Sequence, residues 1–249
     1  SNSNGIENTA VGQSALQNNT TAMYNTAVGR HSMTNTTTGG QNTSVGRGAM
    51  FPNQTGANNS ALGYGALGGA TAASNSVAIG HSALSHGSLT GSFNTCIGYR
   101  AGNAITSGGK NIVIGQDADP SSATVSNEIT LGNSDITALR CEVDTISALS
   151  DARDKTDIVD LPVGLEFINS LLPRKFKWQT RKGAEKDGSV RAGFIAQELQ
   201  EAQKGSEFLN LVLENNPDRL EATSGNLIPV LVKAIQELST KVQALEAVH

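Results

Sequence analysis

Apolar positions recur with a fixed beat along the first half of this chain. The block Asn8-Thr9-Ala10-Val11-Gly12 returns as Asn25-Thr26-Ala27-Val28-Gly29, Asn42-Thr43-Ser44-Val45-Gly46 and Asn59-Ser60-Ala61-Leu62-Gly63, and runs on to Glu128-Ile129-Thr130-Leu131-Gly132. The closing glycines fall at 12, 29, 46, 63, 80, 98, 115 and 132, so every step is 17 residues except one of 18. So constant a period predicts a solenoid-like stack of repeats. A second apolar arm comes later in each unit, as Ala15-Leu16, Ser32-Met33, Ala49-Met50, Ala66-Leu67 and Ala83-Leu84. Each repeat is therefore expected to hold two short strands, separated by turns of Asn, Gly, Thr and Ser that tolerate left-handed backbone. Asn/Ser/Gly-rich sequence of low charge otherwise favours disorder, and the regular Val/Ile/Leu-Gly beat argues against it. One chain offers only two or three modest side chains per repeat to bury. At about 25 cal/mol per Å² of apolar surface, that is thin cover for the entropy of ordering each repeat. Three chains sharing one apolar axis would supply the missing burial and protect strand edges.

The beat stops after Gly132. Ile136 to Ile146 alternates with period two, which predicts a strand connecting the repeats to the second half of the chain. Beyond it the pattern becomes that of an α+β domain. Pro162 to Leu172 reads as a helix with Leu165, Ile168, Leu171 and Leu172 on one face, ended by Pro173. Lys175 to Gln179 alternates as a strand with Phe176 and Trp178 on one side, and Arg181 to Ser189 reads as a hairpin loop. Arg191 to Phe194 leads into a helix over Ile195 to Gln203, and Phe208 to Leu213 is a further strand candidate. Pro229 starts a last helix. There Ile228, Leu231, Ile235, Leu238, Val242 and Leu245 step by 3, 4, 3, 4 and 3, the spacing of a short coiled coil. Ile and Val at a with Leu at d lean towards two strands on the rules for dimers, whereas the repeat argues for three.

Composition sharpens the boundary. Residues 1–150 carry five Lys/Arg and seven Asp/Glu, and residues 151–249 carry the other 13 and 15. Of 27 glycines, 21 lie in the first part. The expected organisation is a repeat shaft over 1–132, a connecting strand over 133–150 and a small domain over 151–249. A net charge of −4 gives no basic footprint for nucleic acid, and no apolar run is long enough to span a bilayer. The first residues lack the basic and apolar regions of a signal peptide, and the chain opens within the pattern, as though more protein preceded it. Cys96 and Cys141 have no CxxC spacing and are expected to be buried free thiols. His31, His81 and His86 lie in or beside repeat turns with no carboxylate at metal spacing, so neither a metal nor another cofactor is expected.

The repeat resembles the β-helical heads of trimeric autotransporter adhesins, through blocks such as Ser76-Val77-Ala78-Ile79-Gly80. It resembles still more the shafts of phage tail fibres, which join Asn-Thr-Ala-Val-Gly to an Ala-Leu arm. Both resemblances imply a homotrimer. Four motifs then appear in order in the second half: Ser150-Asp151-x-Arg153-x-Lys155, Leu172-Pro173-Arg174-Lys175-Phe176-Lys177-Trp178, Gly193-Phe194-Ile195-Ala196-Gln197-Glu198, and the run from Leu227 to Leu238. Together they resemble the endosialidase-type intramolecular chaperone at the C-terminus of phage tail spikes and fibres. The fold so implied is a trimeric β-helical shaft followed by a small α+β chaperone domain ending in a coiled-coil helix. The implied setting is a virion tail fibre, assembled in the host cytoplasm and directed at a host surface receptor such as a glycan.

Ser150 sits at the seam between the two compositions, five residues ahead of Lys155. Spacing alone also fits a helix N-cap at Ser150, since Ser and Asp are common in a first turn. Residues 151–248 contain no His, which excludes a Ser-His-Asp triad within the second half. A Ser-Lys pair remains, and Lys acts as a base only when neutral, which needs burial or neighbouring cations such as Arg153. The resemblance implies Ser150 as nucleophile, Lys155 as general base and cleavage between Ser150 and Asp151. Ring geometry leaves a second bond open: a serine oxygen attacking its own carbonyl closes a four-membered ring, whereas attack on the Leu149 carbonyl closes a five-membered one. Two functional classes remain. One is a trimerisation chaperone released by a single self-cleavage; the other is a host-binding trimeric adhesin with a permanent, non-cleaving cap. The first half offers no recognisable paired carboxylates for an enzyme acting on glycan.

Overall fold

The computed structural model describes residues 4–136, 138–142, 150–177, 190–218 and 220–248. The chain divides into two compact units, Ser1–Leu139 and Arg140–His249.

The first unit is a parallel β-solenoid of about seven turns. Eight three-residue strands, β1 (Thr9–Val11), β2 (Thr26–Val28), β3 (Thr43–Val45), β4 (Ser60–Leu62), β5 (Val77–Ile79), β6 (Thr95–Ile97), β7 (Ile112–Ile114) and β8 (Ile129–Leu131), stack in chain order. Their register is the sequence repeat itself: Thr9 faces Thr26 and Val11 faces Val28. The 18-residue step leaves this ladder intact, with Val77 opposite Thr95. Within that coil Leu89 forms an isolated parallel bridge to Ala70.

Each coil holds one strand, not two. The second arm is a turn whose apolar residue adopts a left-handed backbone: Leu16, Met33, Met50, Leu67 and Leu84 have φ between 49° and 53°. This conformation costs non-glycine residues about 1–2 kcal/mol each. Two gains offset it. Each of these side chains is buried, and each N–H donates to the next coil, as Met33 does to the Ala49 carbonyl at 3.1 Å and Met50 to the Ala66 carbonyl at 2.9 Å. Glycine closes each strand for a steric reason. Gly29 has φ 127°, and a Cβ there would lie 2.5 Å from the Gly46 carbonyl oxygen.

A single chain encloses its own core, contrary to the expectation that burial needs a shared axis. The middle residue of each strand from β2 to β7 points inward, so Ala27, Ser44, Ala61, Ala78, Cys96 and Val113 are fully buried or nearly so. Inside the turns runs a ladder of asparagines. Asn42 receives the Asn59 N–H on its Oδ1 at 2.9 Å and donates its Nδ2 to the Gly56 carbonyl at 2.9 Å, so both ends of the buried amide are satisfied. The third residue of each strand points outward. It forms an external aliphatic ladder on which Val11, Leu62, Ile79, Ile114 and Leu131 are exposed.

The strand expected over Ile136 to Ile146 is not formed where that stretch is described. Residues 138–142 carry no strand, and 143–149 lie outside the described residues. Cys141 is exposed rather than buried, and both cysteines are free.

In the second unit, α1 (Leu165–Ser170) is shorter than expected. Gly164 at φ −152°, ψ −119° starts it late, and Leu171 is already extended ahead of Pro173. The strand β9 (Arg174–Lys177) pairs antiparallel with β10 (Val190–Gly193), so the stretch read as a helix lead-in is a strand. Trp178 and the expected hairpin loop lie outside the described residues. Next come α2 (Ala196–Ala202), a 3-10 turn Glu207–Leu209 and β11 (Val212–Leu213), paired with β12 (Glu221–Ala222). Asn210 at φ 47° separates the turn from β11, which splits the strand expected over 208–213. The last element, α3 (Ile228–Glu246), packs on α1 and buries Val230 and Ala234. Phe167, Leu171, Leu199, Leu211, Leu227 and Val230 are part of the core of this unit.

Candidate functional site

The 3-10 turn Ala152–Asp154 builds the site at the seam. Asp151 caps it, accepting the Arg153 N–H at 2.9 Å, so the cap is Asp151 and not Ser150. The Arg153 guanidinium forks onto the same carboxylate, with Nη2 to Oδ2 at 2.6 Å and Nε to Oδ1 at 3.0 Å. These bonds hold the Asp151 carboxyl below the usual carboxylate range. The turn brings residue 155 back over residue 150. Lys155 N–H donates to the Ala152 carbonyl at 3.2 Å, and Lys155 Nζ donates to Ser150 Oγ at 2.6 Å.

Ser150 is thus freed from capping and its hydroxyl is engaged by an amine. The charge of Arg153 is matched by Asp151. Both Ser150 and Lys155 are exposed in the single chain. Leu149, whose carbonyl is the alternative point of attack, lies outside the described residues. The arrangement can transfer a proton from a serine hydroxyl to a lysine amine once that amine is neutral.

Residues 150–212 match the family model described as Chaperone of endosialidase. The match begins at Ser150 and covers the seam, β9, β10 and α2. The family is of self-cleaving serine-peptidase type. Neither a curated protein nor a solved structure matches the chain.

Within the chaperone-like segment the motifs hold one another. Arg174 forks onto Glu198 at 2.7 and 3.0 Å, joining the start of β9 to α2. A Cβ on Gly193 would meet the Phe176 ring at 3.4 Å, an ordinary contact. Glu237 on α3 accepts the Leu165 N–H at 2.8 Å, so a carboxylate 72 residues away caps α1. Gly164 leaves room for it, because a Cβ there would lie 2.5 Å from Glu237 Oε1. Sequence reasoning did not single out Glu237, since nothing in local spacing links it to residue 165.

The six heptad residues of α3 all face outward. Ile228, Leu231, Ile235, Leu238, Val242 and Leu245 are between 43% and 69% exposed, while Val230 and Ala234 on another face pack within the unit. Among the described residues, no three His, Cys, Asp or Glu side chains gather as a metal site.

Proposed function

We propose that this chain is the C-terminal part of a homotrimeric phage tail fibre or spike, whose final domain aligns three chains and is then released by self-cleavage at the seam. One observation carries the reading: the chaperone-family match begins at Ser150, the residue whose hydroxyl lies against Lys155 Nζ. In this reading the shaft is residues 1–132, the connection 133–150 and the chaperone 151–249. Ser150 is the nucleophile and Lys155 the general base.

Two unpartnered apolar faces support assembly. The outward ladder of the solenoid and the heptad stripe of α3 both expose aliphatic side chains in one chain, and both extend along their element. A 17-residue repeat also needs a register device, because a slip by one coil exchanges nearly identical residues. A C-terminal clamp supplies it, and loss of the clamp makes the shaft kinetically stable. Assembly further accounts for the exposed dyad: neighbouring chains would bury Lys155 and favour its neutral form. The mature fibre belongs to the virion and engages a host surface receptor.

The non-cleaving adhesin cap is favoured by one observation, the exposure of Ser150 and Lys155 in the single chain. A denaturing gel of the purified chain beside Ser150→Ala decides between the two readings. Self-cleavage yields two fragments from the wild type alone; an intact wild-type chain favours the cap.

A further inference from the structure

The residue after each closing glycine forms a column on the surface of the solenoid. Backbone bonds fix its rungs: Gly48 N–H donates to the Arg30 carbonyl, Gly65 to Arg47, Ser82 to Tyr64 and Arg100 to His81. The side chains align in the same way. Arg30 Nε donates to Gln13 Oε1 at 3.1 Å. The Arg47 guanidinium lies 5.3 Å from the centre of the Tyr64 ring and donates to its hydroxyl at 3.1 Å. Tyr64 stacks on His81 at 4.8 Å and 17°, and His81 meets Tyr99 at 5.3 Å and 33°. All five side chains from Arg30 to Tyr99 are exposed.

This column lies in an unusual field. Between Glu7 and Asp117 the chain has no Asp or Glu at all, yet it has Arg30, Arg47, Arg100 and Lys110. The whole chain is at −4, so this stretch of shaft is a cationic island on an acidic protein. Parallel coils rise by about 4.8 Å, so Arg30 to Tyr99 presents roughly 20 Å of aligned donors.

We propose that the column from Arg30 to Tyr99 binds an extended acidic polysaccharide. The proposal rests on the attachment role of the fibre and names its site and ligand class. Arginine forks suit carboxylates, and the charge sign of the island draws them in. The aromatic geometry selects sugar over nucleic acid. Tyr64, His81 and Tyr99 spend their ring faces on one another, so they offer no platform for stacking bases. The exposed tyrosine hydroxyls and imidazole instead offer hydrogen-bonding groups beside the arginines, which match a hydroxyl-rich chain bearing carboxylates. Two column arginines are also few for a phosphate backbone.

The test passes the full chain over immobilised polygalacturonate, neutral dextran and single-stranded DNA at rising salt. The wild type is expected to be retained on polygalacturonate alone. Arg30→Gln/Arg47→Gln should lower that retention at least tenfold, and Lys110→Gln, off the column, should leave it within twofold. Retention on dextran equal to that on polygalacturonate overturns the proposal, as does equal retention on DNA. Equal loss in Arg47→Gln and Lys110→Gln also overturns it, since bulk charge would then explain binding. One chain supplies the whole column, so cleavage and molecular mass measured on the same sample separate the two readings: a cleaved trimer that does not bind sinks only this one.

Discussion

Lys155 Nζ donates to Ser150 Oγ at 2.6 Å across a single 3-10 turn, with Arg153 and Asp151 neutralising each other beside it. If this pair performs the cleavage, the wild type gives fragments of 150 and 99 residues from a chain of 249 when the bond after Ser150 is cut. Ser150→Ala should stay full length. Lys155→Met should slow cleavage by at least about 100-fold, the scale of losing a general base. Lys155→Arg should do the same, because a guanidinium cannot give up its proton at working pH. A gel time course reads all three, and unslowed cleavage in Lys155→Met removes the dyad. Intact mass of the released fragment places the cut before Asp151 or before Ser150.

Assembly is tested by separating outward from inward positions. Leu62→Asp on the solenoid ladder and Ile235→Asp on α3 alter exposed side chains. Each should change the stability of one chain by no more than about 0.5 kcal/mol, while light scattering shows loss of the trimer. Leu84→Ala removes a fully buried side chain and should cost about 2–5 kcal/mol in denaturant unfolding. A trimer that survives both aspartates would refute these faces as the interface.

One coil exchanges large for small inside the solenoid. Gly102 stands where earlier coils place Leu or Met, and Cys96 stands where they place Ala or Ser. A Cβ on Gly102 would lie 2.4 Å from Cys96 Sγ. Gly102→Ala should therefore destabilise by about 1–3 kcal/mol. Cys96→Ala in the same chain should recover the part due to the clash and leave the left-handed backbone cost of about 1–2 kcal/mol, and urea midpoints of the four proteins give the coupling. Additive losses would show that the clash is not the cause. Burial pushes the Cys96 thiol up to about 12, so alkylation at neutral pH should modify Cys141 and spare Cys96 in the folded chain.

Asp119 is half-buried near the last coils and accepts the Ala104 N–H at 2.8 Å. Burial raises its pKa above the usual carboxylate value. A raised folded pKa favours the protonated acid, so its stabilising contribution is complete below about pH 4 and lost as pH rises through the folded value. Asp119→Asn keeps the acceptor and removes the charge. Its thermal midpoint should exceed that of the wild type at pH 7 and converge with it below about pH 4. A constant difference at both pH values would contradict this account.

The solenoid is legible in the sequence because one repeat equals one coil. The spacing of Gly12, Gly29 and Gly46 becomes strand register directly, since identical segments stack in phase. The second arm reads as a strand because its composition is apolar, and it is a turn. Whether Met33 and Met50 extend or turn depends on bonds to the neighbouring coil, which propensity does not contain. In the second unit the helices at 196–202 and 228–246 are visible from periodicity, whereas β10 needs its partner β9 to become a strand. The seam residues are legible as types at a spacing. Their contact is not, because Ser150 as a helix cap and Ser150 as a partner of Lys155 share one sequence.

The sequence by itself determined the period, the place of a short strand ahead of each closing glycine, the heptad stripe of α3 and the chemistry available at the seam. Those are local properties, set by side-chain type and by the geometry of backbone repeats. Only the tertiary structure decided that a chain fills its own solenoid, that Glu237 caps α1 beside Gly164, that Asp151 takes the cap in place of Ser150, and that Arg47, Tyr64, His81 and Tyr99 line up on one face. Each of these depends on residues brought together by packing, where the winning contact is chosen against competitors that sequence distance does not rank.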